Sequence, residues 1–379
     1  AGVFLLCRLS PLLVFFPEVL QVIAWIGALT AIGAAFIALT QRDIKKILAY
    51  STVSQLGYMV MACGVGAFSS GFFHVFTHAF FKALLFLSAG SVIHYLHHEQ
   101  DIFALAGKGK SLPITYKVFV IGLLAIAGIP PFAGFFSKDE ILWLTLNFDP
   151  VWGKYLYFIG VITAVMTAFY MTRLVAIVFW KKSPENDTKK EKEAIVISLP
   201  LVILAICSML VGFLGLPHTF SHNYSRIFQN FIERVVPAAK PAIYSEALEH
   251  QLMALTTFLI IFSMIAAYMI YVKLEENKIS EKLRYKFSFL WRASFSKLQV
   301  DEFYETVFVV PLFCLSNFLF KVVESLGIVG ALNGLKEISV GIGIFLQKIF
   351  PRFLSLSLMY VTWPLLLAII VAILMTQIL

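Results

Sequence analysis

Long apolar runs, separated by short polar turns, set the rhythm of this chain. Pro17 and Glu18 open one of them, with proline suited to a first helical turn, and it continues to about Thr40. The polar turn Gln41-Arg42-Asp43 precedes a second run, from about Ile44 to Gly66, and a third covers about Gly71 to Leu96. A fourth opens near Ile114 and is interrupted. Others cover about Val151 to Trp180, Ala194 to Leu216, Leu252 to Val272 and Leu356 to Leu379. Such runs reach the roughly 20 residues that carry a helix across a bilayer. The pattern predicts an all-α polytopic membrane protein. The opening run to Phe16 is broken by Arg8 and Pro11 and is too short to span. It has no initiator Met, basic leader or cleavage site, so it is no signal peptide and reads as the end of a helix begun upstream. The chain is therefore expected to be the C-terminal part of a longer membrane protein.

Composition sharpens this picture. Hydrophobic residues make up 60% of the chain, charged residues 14%, and the mean hydropathy is +0.86, which excludes an ordinary soluble globule. A net charge of +8 would suit a nucleic-acid partner only if it were gathered on one surface, and here it is dispersed between apolar runs. It reads as topology. Loops at one end hold Arg42, Lys45, Lys46, Lys108, Lys110, Lys181, Lys182, Lys189, Lys190, Lys192 and the seven basic residues from Lys273 to Lys297. Those at the other end hold Arg8, Lys154, Arg226, Arg234 and Lys240. Seventeen against five puts the first set on the cytoplasmic side or its organellar equivalent, in a bacterial or organellar inner membrane. Cys7, Cys63, Cys207 and Cys314 form no paired motif, so neither a disulfide framework nor a metal site is expected.

Little ionisable chemistry remains at membrane depth: His74, His78, Lys82, Lys138 with Asp139 and Glu140, and Arg173. Steps of four residues place His74, His78 and Lys82 on nearly one face of a helix, each about 6 Å along from the last. That spacing suits one bridging water between neighbours. Histidine titrates near neutrality, and a lysine buried in hydrocarbon can give up its proton at working pH. The row reads as a proton relay; the blander alternative is two hydrogen-bonded core histidines and a lysine paired with an acid elsewhere. Arg173 lies two turns from the basic end, where it could snorkel outwards.

In Ala127-Gly-Ile-Pro-Pro-Phe-Ala-Gly-Phe-Phe-Ser-Lys-Asp-Glu-Ile141, two prolines remove backbone donors and two glycines permit unusual dihedrals. Ser137 then resembles an N-cap, with Glu140 completing a capping box. The expectation is a helix that stops mid-membrane and restarts at Lys138, placing that lysine against the positive end of the second half-helix. Irregular backbone at such depth is tolerated inside protein or beside a hydrated cavity, and it is typical of ion-translocating proteins.

Four blocks now carry a resemblance: Arg42–Met59 "RDIKKILAYSTVSQLGYM", Phe73–His94 "FHVFTHAFFKALLFLSAGSVIH", His97–Pro113 "HHEQDIFALAGKGKSLP" and Ala133–Leu142 "AGFFSKDEIL". They resemble subunit L of proton-pumping NADH:quinone oxidoreductase, complex I, within an antiporter-like family that also holds the Mrp Na+/H+ antiporter subunits. The resemblance covers most of residues 18–180; the remainder matches mainly in hydropathy. It implies an antiporter-like helix bundle, with 18–180 a complete five-helix unit broken at 114–147 and 1–17 the remnant of another. It further implies two helices and loops over 181–300, a lateral amphipathic helix over 301–351 and a terminal helix over 352–379. It assigns Lys82 as the central protonatable residue, His74 and His78 as its water-linked neighbours, Lys138 as the exit-side lysine and Asp139 as its modulator. Asp43 and Lys45 match a charged turn, and Glu140 and Arg173 are further possible modulators. NADH, FMN, Fe–S clusters and quinone are expected in partner subunits, with no cofactor in this chain. Expected partners are the lipid bilayer and other membrane subunits, especially those of the M and N type. An Mrp-type Na+/H+ antiporter subunit is the alternative, and a structural clamp whose charges only pair is a second. The residues leave H+ and Na+ both open.

Overall fold

The structure, a computed structural model, describes residues 1–182, 191–216, 227–237, 244–273, 285–349 and 354–378. Lys189, Lys190, Arg226, Lys240, Lys278, Lys282, Arg284 and Pro351 lie outside them. The chain divides into two compact units, Ala1–Leu298 and Gln299–Leu379. Among the described residues, seven helices are long and apolar enough to cross a membrane.

The first unit opens with α1 (Gly2–Leu13), α2 (Pro17–Ala38), α3 (Ile44–Gly64) and α4 (Phe68–Tyr95). Small residues let α2 and α3 touch backbone to backbone. A Cβ on Gly27 would meet the Met61 nitrogen at 2.3 Å, one on Gly57 the Ala31 nitrogen at 2.5 Å, and one on Gly64 the Ala24 nitrogen at 2.2 Å. Close approach through glycine and alanine is how helices gain contact where lipid removes the usual hydrophobic drive. Although 21 residues long, α3 is not among the seven most apolar helices, because it carries Ser51, Ser54 and Gln55, all buried in the bundle.

The α2–α3 turn is fixed on both sides. Asp43 caps α3 by accepting from the amides of Lys45 at 2.7 Å and Lys46 at 3.2 Å. Arg42 pairs with Asp101 at 2.8 Å, and backbone bonds join Ile44 to Gln100 and Ile102 to Arg42. Beside them, the amides of Asp101 and Gln100 donate to Glu99, holding that exposed carboxyl below the usual glutamate range.

Then come α5 (Pro113–Ala127), α6 (Ala133–Leu146), α7 (Trp152–Val175), α8 (Ile195–Leu210), the short α9 (Ile227–Ile232), α10 (Glu246–Tyr268) and α11 (Ser288–Phe295). Both α7 and α10 run on into one π-helical turn, Ala176–Trp180 and Met269–Lys273. The break between α5 and α6 covers 128–132, so the second half-helix restarts at Ala133 rather than Lys138.

The second unit holds α12 (Val300–Tyr304), α13 (Val310–Phe318) and α14 (Gly330–Ile349), joined without interruption through π-helical Glu305–Val309 and Leu319–Val329. A closing helix, α15, spans Leu354–Ile378. The run from Val300 to Ile349 would be about 75 Å long at the α-helical rise, more than twice the hydrocarbon thickness. It cannot stand upright as a single crossing. Phe303, Phe313, Phe320, Leu326, Ile338 and Phe345 are all more than half exposed along it.

Gly57→Leu should force α2 and α3 apart at a cost of about 1–3 kcal/mol, seen as a loss of folded protein after detergent extraction. Gly33→Leu is the matched control, because a Cβ there meets nothing within 4 Å. Equal yields for the two variants would contradict the close packing.

Candidate functional site: a buried histidine–lysine row at a helix break

The row forms as its spacing predicts. His74, His78 and Lys82 are 0%, 8% and 5% exposed, and the two imidazole centroids lie 6.1 Å apart. What each side chain touches was not readable from spacing. Lys82 Nζ donates to the carbonyl of Leu48 on α3 at 3.0 Å and lies 5.7 Å over the Phe86 ring. Lys138, 3% exposed, donates through Nζ to the carbonyl of Ile126 at 3.2 Å and lies 5.2 Å over the Tyr58 ring. Both ammonium groups thus face backbone carbonyls. A pair of structural ion pairs would place a carboxylate at those positions.

The break explains the position of Lys138. Gly128 adopts φ +83°, a left-handed ending that suits glycine, and the amides of Gly128 and Ile129 return to the carbonyls of Ala125 and Leu124 at 3.2 and 3.1 Å. That leaves Ile126 among the terminal carbonyls of α5, and Lys138 takes it. Gly134 permits the approach, since a Cβ there would lie 1.9 Å from the Ala125 oxygen. Two expectations are corrected here. Ser137 is not an N-cap, because α6 begins four residues earlier with Phe132 at the cap position and no side-chain cap. Lys138 does not face the positive end of α6: it lies in the second turn of that helix and meets the negative, C-terminal end of α5.

Ser137 instead joins the two halves of the site. Its Oγ lies 2.9 Å from His74 Nδ1, accepts from Thr77 Oγ1 at 3.0 Å and can donate to the Ala133 carbonyl at 3.2 Å. On the other side of the ring, His74 Nε2 lies 3.2 Å from Gln55 Oε1. A neutral imidazole donates from Nε2 to Gln55 and accepts from Ser137 at Nδ1. A protonated one donates at both nitrogens, and the serine hydroxyl turns to Ala133. Both ring nitrogens of His74 are therefore hydrogen-bonded in either protonation state. His78 Nε2 is buried with no hydrogen-bond partner among the described residues, on the same face between His74 and Lys82.

The remaining candidates lie apart from the row. Asp139 turns towards α10, where Glu249 and Thr256 are its neighbours. Glu140 accepts from Gln229 Nε2 of α9 at 3.0 Å. The Asp43 carboxylate is committed to its helix cap, and Lys45 is exposed at the same turn. Arg173 does not snorkel: it is 4% exposed, donates to the Gln41 carbonyl at 2.9 Å and lies 5.7 Å from the rings of both Phe103 and Tyr271. It anchors the α2–α3 turn. Sequence reasoning passed over Gln55, Thr77 and Glu249. A glutamine amid the apolar run of α3 was the available signal for the first. Glu249 falls before Leu252, where hydropathy starts the helix, whereas α10 begins at Glu246. Nothing in a sequence marks the Leu48 and Ile126 carbonyls.

A bundle of apolar helices with one broken span, and buried lysines and histidines joined across the break, defines an antiporter-like, multi-pass integral membrane protein. Residues 1–167 match the family model described as NADH:quinone oxidoreductase/Mrp antiporter, TM, and the chain belongs to that family. It is 41% identical over 348 residues to NAD(P)H-quinone oxidoreductase chain 5 of Picosynechococcus sp., covering 82% of this chain and 50% of that one. It is 49% identical over 223 residues to NADH-quinone oxidoreductase subunit L of Rickettsia bellii, covering 57% and 33%. NADH-ubiquinone oxidoreductase chain 5 of Metridium senile is 44% identical over 256 residues, covering 65% and 40%. At most, the chain spans about half the length of these curated relatives. The fold is shared with a chain in the structure of the Mrp complex from Dietzia sp., at a TM-score of 0.57 and 19% identity, over 100% of this chain and 36% of that one.

Asp43→Ala should cost about 1 kcal/mol through the lost cap, and Asp43→Asn should recover most of it. Thermal unfolding in detergent measures both; an Asp43→Ala protein as stable as the original would remove the capping role.

Proposed function

We propose that this chain translocates protons across the membrane as part of an NADH:quinone oxidoreductase, driven by redox chemistry in other subunits. NADH, FMN, Fe–S clusters and quinone belong to those partners, and the membrane neighbours would include M- and N-type subunits. The observation that carries the reading is the hydrogen bond between His74 and Ser137, which links the row on α4 to the half-helix bearing Lys138. Lys82 is the central store, His78 and His74 pass the proton along α4, and Ser137 delivers it beside Lys138. Both lysines are held by carbonyl oxygens, which favour the ammonium, while burial opposes it.

Lys82→Ala in the assembled complex should lower the number of protons moved per electron while leaving assembly intact, because it removes a carrier together with a buried charge. Normal stoichiometry in that variant would defeat the reading, and loss of assembly would favour the structural alternative. Lys138→Arg is the sharper comparison. Guanidinium keeps its proton, so this variant should pump as poorly as Lys138→Ala, and full activity would show that Lys138 need not deprotonate.

The long helix of the second unit is read as a lateral strap along the membrane surface, supported by its length and by polar breaks at Lys321, Glu324, Lys336, Glu337 and Lys348. Proline in place of two or three residues between Val322 and Ile344 should break it, at about 3 kcal/mol each, and loosen attachment to the complex in detergent. Variants that stay attached yet stop pumping would make it a coupling element instead.

A further inference from the structure

Three threonines lie on α7, all buried, and one behaves differently from the others. Thr163 donates to the Ile159 carbonyl at 2.7 Å and Thr167 to the Thr163 carbonyl at 2.8 Å. That is the usual return of a helical hydroxyl to the preceding turn. Thr172 makes no such bond. It is 1% exposed, and its Oγ1 has no hydrogen-bond partner among the described residues. A buried hydroxyl without a partner forfeits its hydration, and valine would fill the same space without that cost.

Thr172 lines a cavity of about 480 Å³, within the roughly 300–1,000 Å³ of ligand sites. Its other walls are Met264, Ile265 and Tyr268 of α10, Trp180 in the π-helical turn after α7, and Lys110. The 3₁₀ turn Lys108–Ser111 brings Lys110 there by packing on that π-helical turn. The Gly107 amide donates to the Ile177 carbonyl at 3.0 Å, and a Cβ on Gly109 would lie 2.6 Å from the Phe179 ring. Lys110 is exposed, and no ion pair holds it among the described residues.

The lining is graded along α7. Lys110 stands at the outer end with the Trp180 and Tyr268 rings, which meet edge to face with centroids 5.6 Å apart. Trp180 donates its indole N–H to the Tyr116 hydroxyl at 3.0 Å, the habit of an aromatic residue at a membrane interface. Met264 and Ile265 supply the apolar wall, and Thr172 lies eight residues, about 12 Å, inward of Trp180. Lys108 and Lys181 belong to the same two turns as Lys110 and Trp180 and reinforce the positive field there. All of them fall in the basic set of loops, on the side where the leaflet carries anionic lipid.

We propose that this cavity binds one phospholipid with a net anionic headgroup. The phosphate pairs with Lys110, an ester carbonyl accepts from Thr172 Oγ1, and one acyl chain leaves past Met264 and Ile265. The order of cation, aromatic rim, hydroxyl and apolar wall matches the order of groups in such a lipid. A choline or ethanolamine headgroup would set its own cation against three lysines. The site stands independently of the translocation reading.

The test uses the assembled protein in phosphatidylcholine bilayer discs carrying a trace of photoreactive phosphatidylglycerol, or photoreactive phosphatidylcholine with the same chains. The glycerol probe should label peptides containing Thr172 or Met264–Tyr268 about fivefold more than the choline probe, the preference expected from one lysine near the surface. Lys110→Gln, at an exposed position, should bring the two probes to equality. Thr172→Val keeps the shape and should lower labelling by both, because both carry the ester. Equal labelling of the wild type by the two probes, or none on these peptides, overturns the proposal and depends on no variant folding. Undiminished labelling in Thr172→Val overturns it as well, leaving a groove that bulk lipid fills without recognition.

Discussion

Hydrocarbon offers no hydrogen bonds, so every backbone carbonyl released inside it must find a partner within the protein. The site is built on that constraint. When α5 ends at Ala127, its terminal carbonyls turn inward, and a left-handed glycine returns two of them to nearby amides. The next is met by Lys138. One requirement thus satisfies the backbone and holds a buried cation on a carbonyl oxygen. Lys82 is likewise held by a carbonyl, that of Leu48, although this one lies inside α3 and also accepts from Thr52 Oγ1 at 2.9 Å. A carboxylate partner would hold each charge far more firmly.

The second element is a hydroxyl rather than a charge. Ser137 stands between His74 and the Ala133 carbonyl and can donate to either. Because α6 begins at Ala133, Ser137 lies one turn in, where its back-bond to residue 133 is an ordinary helical contact. Turning that hydroxyl towards His74 costs little, and the ring's protonation state decides which way it points. A restart at Lys138 would have made Ser137 a cap committed to backbone amides, with no freedom to serve the ring.

Periodicity made the helices and the row legible, because hydropathy and four-residue spacing are properties of the chain itself. The α5–α6 break was equally visible, from two prolines and two glycines in succession. The details that went astray share a cause. Ser137 matched a capping box, yet the two half-helices pack so closely at Gly134 that α6 starts earlier than its cap signal. Arg173 reads as a snorkelling cation until the fold folds the α2–α3 turn back over it and offers the Gln41 carbonyl. The apolar run starts at about Leu252, whereas α10 begins at Glu246, because hydropathy trims the polar first turn from a helix that the bundle completes. In each case a tertiary neighbour overrides a local signal.

That dependence reaches the chemistry through α3. It supplies the Leu48 carbonyl to Lys82, Gln55 to His74 and the Tyr58 ring to Lys138, so three groups on α4 and α6 take their geometry from one helix. In turn α3 is held by backbone contact at Gly27, Gly57 and Gly64, and its start by Asp43, Arg42 and the carbonyl bound to Arg173. A shift of α3 by even an ångström would lengthen the bonds to Leu48 and Gln55 together, since both lie on the same rigid rod. Residues such as Gly57 and Arg173, which touch no group of the row, therefore control its geometry as firmly as its own neighbours do.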